Sequence, residues 1–174
     1  MLIPFGMVDE LFPGYSITVG SSLDRPSLVK VMQKTYRELH PTQSVAHLVH
    51  TVDQYLSKDT PLWWVHVQGD ELDSDPFFPR RTALQKAIAC LWLGDAIDQI
   101  EGDRHAYIFL LYVDPQHRRQ GIGTALMTRA EQWAKARGDR KISLQVFTDN
   151  QPALDMYTQM GYTPQSFWMT KRFT

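Results

Sequence analysis

The stretch Tyr107-Ile108-Phe109-Leu110-Leu111-Tyr112-Val113-Asp114-Pro115-Gln116-His117-Arg118-Arg119-Gln120-Gly121-Ile122-Gly123-Thr124 decides how this chain is read. Its first part, Tyr107 to Val113, is an unbroken apolar and aromatic run with the composition of a buried strand. Asp114-Pro115 supplies turn chemistry. Glycines at 121 and 123 then open a helix whose face is Ile122, Ala125, Leu126, Ala130, Trp133 and Ala134, and Gly138 closes it. The first N–H groups of such a helix have no intrahelical acceptor, and the helix dipole adds partial positive charge there. Strand, turn and helix together make a seat for phosphate.

The surrounding chain has 174 residues, enough for one domain with a core, and a single domain over 1–174 with residues 1–14 as an N-terminal arm is expected. A formal net charge of -1, with acidic and basic residues mixed along the chain, argues against a nucleic-acid partner. The one cysteine, Cys90, cannot form an internal disulfide. The chain opens with no leader pattern, and no apolar run approaches the roughly 20 residues a membrane helix needs. These features lead to the expectation of a cytoplasmic protein without a membrane partner.

Upstream, Met1 to Pro13 is broken by Pro4, Gly6 and Pro13 and reads as an arm or cap. Tyr15 to Gly20 alternates as a strand. Leu28, Val31, Met32 and Leu39 fall at helical spacing after Pro26, and Val45, Leu48, Val49, Val52 and Leu56 form a second helical stripe that Thr42 or Ser44 can cap. Leu62 to Val67 and Lys86 to Leu93 are β-prone and read as an antiparallel pair joined by the long acidic connection 69–84. Gly94 to Arg104 reads as a polar connection. Downstream, Ile142, Leu144 and Val146 alternate with polar residues as a half-buried strand. Asn150 and Pro152 start a last helix with the face Ala153, Met156, Tyr157 and Met160, and Tyr162 to Phe173 reads as a final strand or hairpin.

Two segments now carry a resemblance. Val113, Pro115, Arg118, Gly121 and Gly123 fit V-x-P-x-x-R-x-x-G-x-G, and Asn150, Ala153, Tyr157, Gly161 and Tyr162 fit N-x-x-A-x-x-x-Y-x-x-x-G-F/Y. The pair, in this order, resembles the signature of GNAT-type N-acetyltransferases over roughly the second half of the chain. The resemblance implies an α/β (α+β) fold with a mixed, mostly antiparallel sheet of six to seven strands, splayed central strands and about four helices. It implies that Arg119, Gln120, Gly121, Ile122, Gly123 and Thr124 line the pyrophosphate of acetyl-CoA, with Arg118 adding charge. Leu111, Tyr112 and Val113 would lie along the pantetheine arm, Leu111 and Val113 bonding it through their backbone. Asn150 and Ala153 would contact the arm from the last helix, and Tyr157 would protonate the departing thiolate.

The implied reaction is direct attack of a primary amine, from a small molecule or a peptide, on the thioester. Relatives place an acidic residue where Phe109-Leu110 stand here, or a glutamate where Gln145 stands. The base is therefore left to His105, His66, Asp95 or Asp98, or to a water relay. The acceptor pocket would be framed by Tyr36 to Gln43, including Glu38 and His40. Protein N-terminal or lysine acetylation, a non-catalytic acyl-CoA sensor or interaction module, and a homodimer all stay open on the sequence.

Other readings of the same residues are weaker. A Rossmann turn needs a third glycine where Leu126 stands, and a P-loop needs Gly-Lys-Ser/Thr. His47 and His50 are three apart on a helix but lack a third ligand, so no metal is expected. Trp63 and Trp64 point to opposite faces of their strand, one into the core and one toward a pocket or interface. Cys90 reads as inert packing.

Overall fold

Central strands buried on both faces, and apolar stripes along the helices, build one sheet with helices on both faces. A computed structural model describes residues 8–69, 87–171 and 173. In chain order the elements are β1 (Val8–Phe12), β2 (Tyr15–Val19), α1 (Arg25–Leu39), α2 (Leu48–Tyr55), β3 (Leu62–Val67), β4 (Ala89–Ile97), β5 (Arg104–Val113), α3 (Ile122–Arg137), β6 (Ile142–Leu144) and α4 (Gln151–Gln159). The six strands lie in sequence order, antiparallel from β1 to β5, with β6 parallel to β5. Among the described residues no helix is long and apolar enough to cross a membrane.

Each sheet face carries its own core. Leu91, Leu93, Ala106, Ile108, Val65 and Trp63 pack against Ile122, Leu126, Met127, Ala130 and Ala134 of α3. On the other face Trp64, Cys90, Trp92, Leu110 and Tyr112 pack against Leu28 and Met32 of α1 and Leu48 and Val52 of α2. Burying one Ile, Leu or Met contributes about 1.5–3 kcal/mol, more than the 0.5–1 kcal/mol a helical glycine costs. Three such residues on α3 therefore outweigh Gly123 in its first turn. Trp63 and Trp64 do face opposite ways, but both are core, so neither lines a pocket.

Several expectations need correction. Residues 8–12 of the expected arm are strand β1, paired antiparallel to β2, because the open edge of β2 gives that segment a ladder to join. The expected connection from Gly94 to Arg104 is shorter than read: β4 runs on to Ile97, β5 begins at Arg104, Asp95 lies opposite Ala106, and only residues 98–103 form the turn between the two strands. The polar side chains that suggested a loop are partly engaged: Asp95 pairs across the strands with Arg104, and Asp98 in the turn pairs with Lys141 just before β6. Helix α2 starts at Leu48, after the proposed caps, and its N-cap His47 makes no side-chain capping bond. Strand β6 stops at Leu144, before Val146. The final strand or hairpin does not form in the described part of Tyr162 to Phe173. Phe167, Trp168, Met169 and Phe173 are exposed there, with no apolar surface to fix them against a sheet. The sheet has six strands among the described residues, within the expected six to seven. The expected acidic loop 69–84, beyond Gly69, and Lys86 lie outside the described residues.

The register of β4 against β5 slips once. Trp92 faces Leu110 but Leu93 faces Ile108, so Phe109 is an extra residue, a β-bulge. Its ring stacks on Trp92 with centroids 4.6 Å apart and lies over Gly94, where a Cβ would come within 2.2 Å of the ring. Gly94→Ala should therefore cost about 1–3 kcal/mol in urea denaturation, and Phe109→Leu in the same chain should recover part of that loss. Additive losses would show that the bulge ring and Gly94 are not coupled.

Candidate active site

The bulge determines what β5 offers along its outer edge. Leu93 N–H bonds to Pro61 and Asp114 N–H to Ile88, which turns the backbone of Cys90 and Trp92 toward β5 and that of Leu110 and Tyr112 toward β4. By the alternation of an antiparallel ladder, Leu111 and Val113 turn their N–H and C=O groups the opposite way. Strand β6 pairs β5 only at Ala106, Tyr107 and Ile108. Beyond Ile108 the two strands part, and the polar groups of Leu111 and the N–H of Val113 face the gap. Buried backbone groups of this kind call for a partner.

At the upper end of the gap the chain turns through Pro115–His117, capped by the Asp114 side chain, and rises to α3. Arg119 (φ 63°) and Gly121 (φ 86°) are both left-handed, which brings successive amides to one side of the turn. The first α3 bond runs from Ala125 N–H to Gly121 C=O at 2.9 Å, so the amides of Ile122, Gly123 and Thr124 precede the helical ladder. Gly123 is close to α4: a Cβ there would lie 3.2 Å from Met156 Sδ and 3.9 Å from Leu111 Cδ2. Helix entrance, gap and α4 thus converge on one place.

Arg118 is engaged within the protein. Its Nε donates to Val113 C=O at 2.9 Å, and its two terminal nitrogens donate to the Glu38 carboxylate at 2.5 and 3.0 Å. The guanidinium is thereby a strap from α1 to the turn, and the Arg118 hydrogen bonds hold the Glu38 carboxyl below its ordinary pKa. Beside it Lys34 pairs with Asp114 at 3.0 Å. Gln120 takes a hydrogen bond from Tyr15 OH at 2.5 Å. Tyr112 is buried beneath α1, with its hydroxyl on Asp114 at 3.2 Å, so its side chain belongs to the core behind the gap.

Helix α4 begins at Asn150, whose Oδ1 accepts from Ala153 N–H at 3.4 Å. Tyr157 packs beside Met156 against the α3-side core, its ring 5.8 Å from that of Tyr162. Burial raises the Tyr157 phenol to about 12, which keeps it protonated.

The groups considered as base are occupied away from the gap. His105 is buried, 2.7 Å from Ser143 Oγ, and lies six residues before Leu111, about 20 Å along the strand. Asp95 is held by Arg137 at 2.7 Å and by Arg104 at 3.3 Å. Asp98 binds Lys141 and caps its own turn, and His66 is buried on β3 against Thr18 Oγ1 at 3.1 Å. No group of His, Cys, Asp and Glu among the described residues is placed to hold a metal.

The sequence reading placed Tyr36 in the acceptor frame and Phe109 at the position acidic in relatives, but it did not join them to Tyr55, Tyr107 and Phe147. Tyr36 of α1, Tyr55 of α2, Tyr107 and Phe109 of β5, and Phe147 just after β6 gather where the strands part, on the face opposite α3. Only the aromatic content of each element, with no shared spacing, could have signalled them.

The site is thus an open strand edge between parted parallel strands beside a glycine-entered helix, in a mixed α/β domain. The profile of the Acetyltransferase (GNAT) family matches residues 26–162, and the chain belongs to that family. It is 40% identical over 76 residues to an uncharacterised N-acetyltransferase of Methanocaldococcus jannaschii, a match covering 44% of this chain and 32% of that protein. This chain thus spans about a third of that relative's length. Its fold is similar to that of an aminoglycoside antibiotic 6'-N-acetyltransferase from Acinetobacter haemolyticus (TM-score 0.60, 19% identity, 91% of this chain and 99% of that one). It is also similar to AAC(6')-Iy in complex with the bisubstrate analogue CoA-S-monomethyl-acetylneamine (TM-score 0.62, 12% identity, 92% and 98%).

The Arg118–Glu38 strap is testable by itself. Both side chains are over a third exposed, so Glu38→Gln should lower stability by no more than about 1 kcal/mol at neutral pH. A depressed carboxylate stabilises the fold above its unfolded pKa and loses that contribution as pH falls through the folded value. The difference from wild type in urea should therefore begin to shrink as pH falls past the ordinary Glu value of about 4.3 and disappear once the folded carboxyl is protonated. A difference that persists in acid would mean that packing, not charge, holds the strap.

Proposed function

We propose that this protein is an acetyl-CoA-dependent N-acetyltransferase that delivers the acetyl group to a primary amine of a small molecule or peptide. The observation that carries the reading is the parted edge of β5, where Leu111 turns its N–H and C=O and Val113 its N–H toward the gap, beside a helix entrance whose first amides precede the helical ladder. An extended amide-bearing arm fits that edge as an added strand, and a pyrophosphate fits the amides of residues 119–124. Acetyl-CoA supplies a thioester whose carbonyl carbon is electrophilic.

In this reading the amides of Arg119, Gln120, Gly121, Ile122, Gly123 and Thr124 hold the pyrophosphate, and Arg118 keeps their turn in place rather than meeting the phosphates itself. Leu111 and Val113 bond the pantetheine arm and orient the thioester, with Asn150 and Ala153 beside it. Tyr157, protonated because it is buried, donates to the leaving sulfur. With His105, Asp95 and Asp98 bound elsewhere, the amine's proton leaves through water. The same engagement of the candidate bases favours a second reading, a non-catalytic acyl-CoA sensor. The lone, buried Cys90 suits a reducing compartment, and a cytoplasmic setting belongs to the main reading.

Isothermal titration should show acetyl-CoA binding, and Gly123→Glu should weaken it at least tenfold while circular dichroism stays native. Thiol release with a panel of amines should accompany binding; binding without release would favour the sensor. Tyr157→Phe should slow turnover by about ten- to a hundredfold with little change in acetyl-CoA affinity. Because the phenol titrates near 12, the wild-type rate should show no alkaline fall up to about pH 10. An unchanged rate in Tyr157→Phe would remove Tyr157 from the acid role.

A further inference from the structure

The gap between β5 and β6 opens on two sides. On the α3 side it meets the helix entrance and α4; on the other side it meets a wall of rings. Phe109 is at the centre of that wall, its centroid 4.8 Å from Tyr55 and 4.9 Å from Tyr107. Across the gap Phe147 packs edge-on against Tyr36 at 5.9 Å and His40 at 4.5 Å. The wall therefore comes from α1, α2, β5 and the segment after β6, and these elements flank the place where the thioester is proposed to lie.

This surface is not fully used within the fold. Tyr55, against Phe109, is 43% exposed and Phe147, against Tyr36, is 39% exposed. Burial raises the Tyr107 phenol above its ordinary value, and the Tyr36 and Tyr55 phenols are near enough to add to that shift. The carboxylates on the neighbouring elements are matched already: Glu38 by Arg118, Asp53 by Arg25 and Asp114 by Lys34. Among the described residues the wall thus offers ring faces and phenol hydroxyls; the exposed Asp149, two residues after Phe147, adds one carboxylate, fewer than the several a polycation needs.

We propose that this wall is the acceptor-binding surface and that it selects a primary amine carried on an aromatic or other apolar body, rather than a polycationic acceptor. The inference rests on the acetyl-transfer reading for the direction in which the amine points. The rings supply large, pre-ordered contact area at low entropic cost, and edge-to-face packing with an aromatic ligand adds to simple burial. A single amino group, the only polar part of such a ligand, would then reach through the gap between Phe109 and Phe147. A polycation would strand its remaining charges against apolar surface.

Binding is measured without acetyl-CoA, by saturation-transfer NMR of the whole chain with 2-phenylethylamine and with propylamine. The ring-bearing amine should bind at least tenfold more tightly. Phe147→Ala and Tyr55→Ala, both at exposed positions, should each weaken it at least fivefold while acetyl-CoA affinity stays within twofold of wild type. In turnover assays kcat/KM should rank 2-phenylethylamine above propylamine and above kanamycin by tenfold or more. Equal binding of the two monoamines, or a preference for kanamycin or a peptide amine, would overturn this proposal while leaving acetyl transfer intact. Ring-selective binding that the two variants abolish, without thiol release, would support the wall as an amine site and count against the transfer reading alone.

Discussion

A single inserted residue governs this structure. Phe109 has no partner on β4, and the ladder on its two sides is out of phase by one. Without it, Leu110 and Tyr112 would turn their backbone outward and Leu111 and Val113 would bond to β4. The bulge exchanges these roles, so that the outward groups occur just where β6 has ended. It also places Leu111 and Val113 on the α3 side and Leu110 and Tyr112 in the core beneath α1. What holds the bulge is local: an aromatic ring stacked on Trp92 above a glycine that leaves room for it.

The remainder of the site is built to keep that edge open. Glu38 and Arg118 tie α1 to the turn after β5, and Arg118 occupies the one outward carbonyl, that of Val113, closest to the helix entrance. Met156 and Gly123 bring α4 against α3 at the far side. Because each contact joins elements distant in sequence, the gap is a property of the assembled sheet and not of any one segment. The aromatic wall has the same origin, since its rings meet only when α1, α2, β5 and the segment after β6 are all in place.

Much of this was legible in the sequence, for definite reasons. The strand at Tyr107 to Val113, the helix after Gly121 and the helix after Asn150 combine strong patterning with caps and glycines, and all three are present. The family signature lies in those elements, and it is local in sequence. The bulge was not legible, because an unbroken apolar run has no alternation to be interrupted. Gly94 to Ile97 read as part of a loop because a cross-strand ion pair looks like solvated residues when the partner strand is unknown. Arg118 was assigned to phosphate from its place near Gly121; its partner Glu38 lies 80 residues away, beyond any local pattern. The C-terminal segment has strand composition but finds no ladder among the described residues, as composition without burial does not make a strand.

The central claim is that Leu111 and Val113 hold backbone groups in reserve for an added strand. Amide hydrogen exchange of these two residues by NMR, with and without saturating acetyl-CoA, addresses it directly. Both amides should exchange readily in the free protein, unlike those of Leu110 and Tyr112 in the β4 ladder, and ligand should slow them by about tenfold or more. Exchange at Leu111 and Val113 that is already slow in the free protein, or that acetyl-CoA leaves unchanged, would contradict the account.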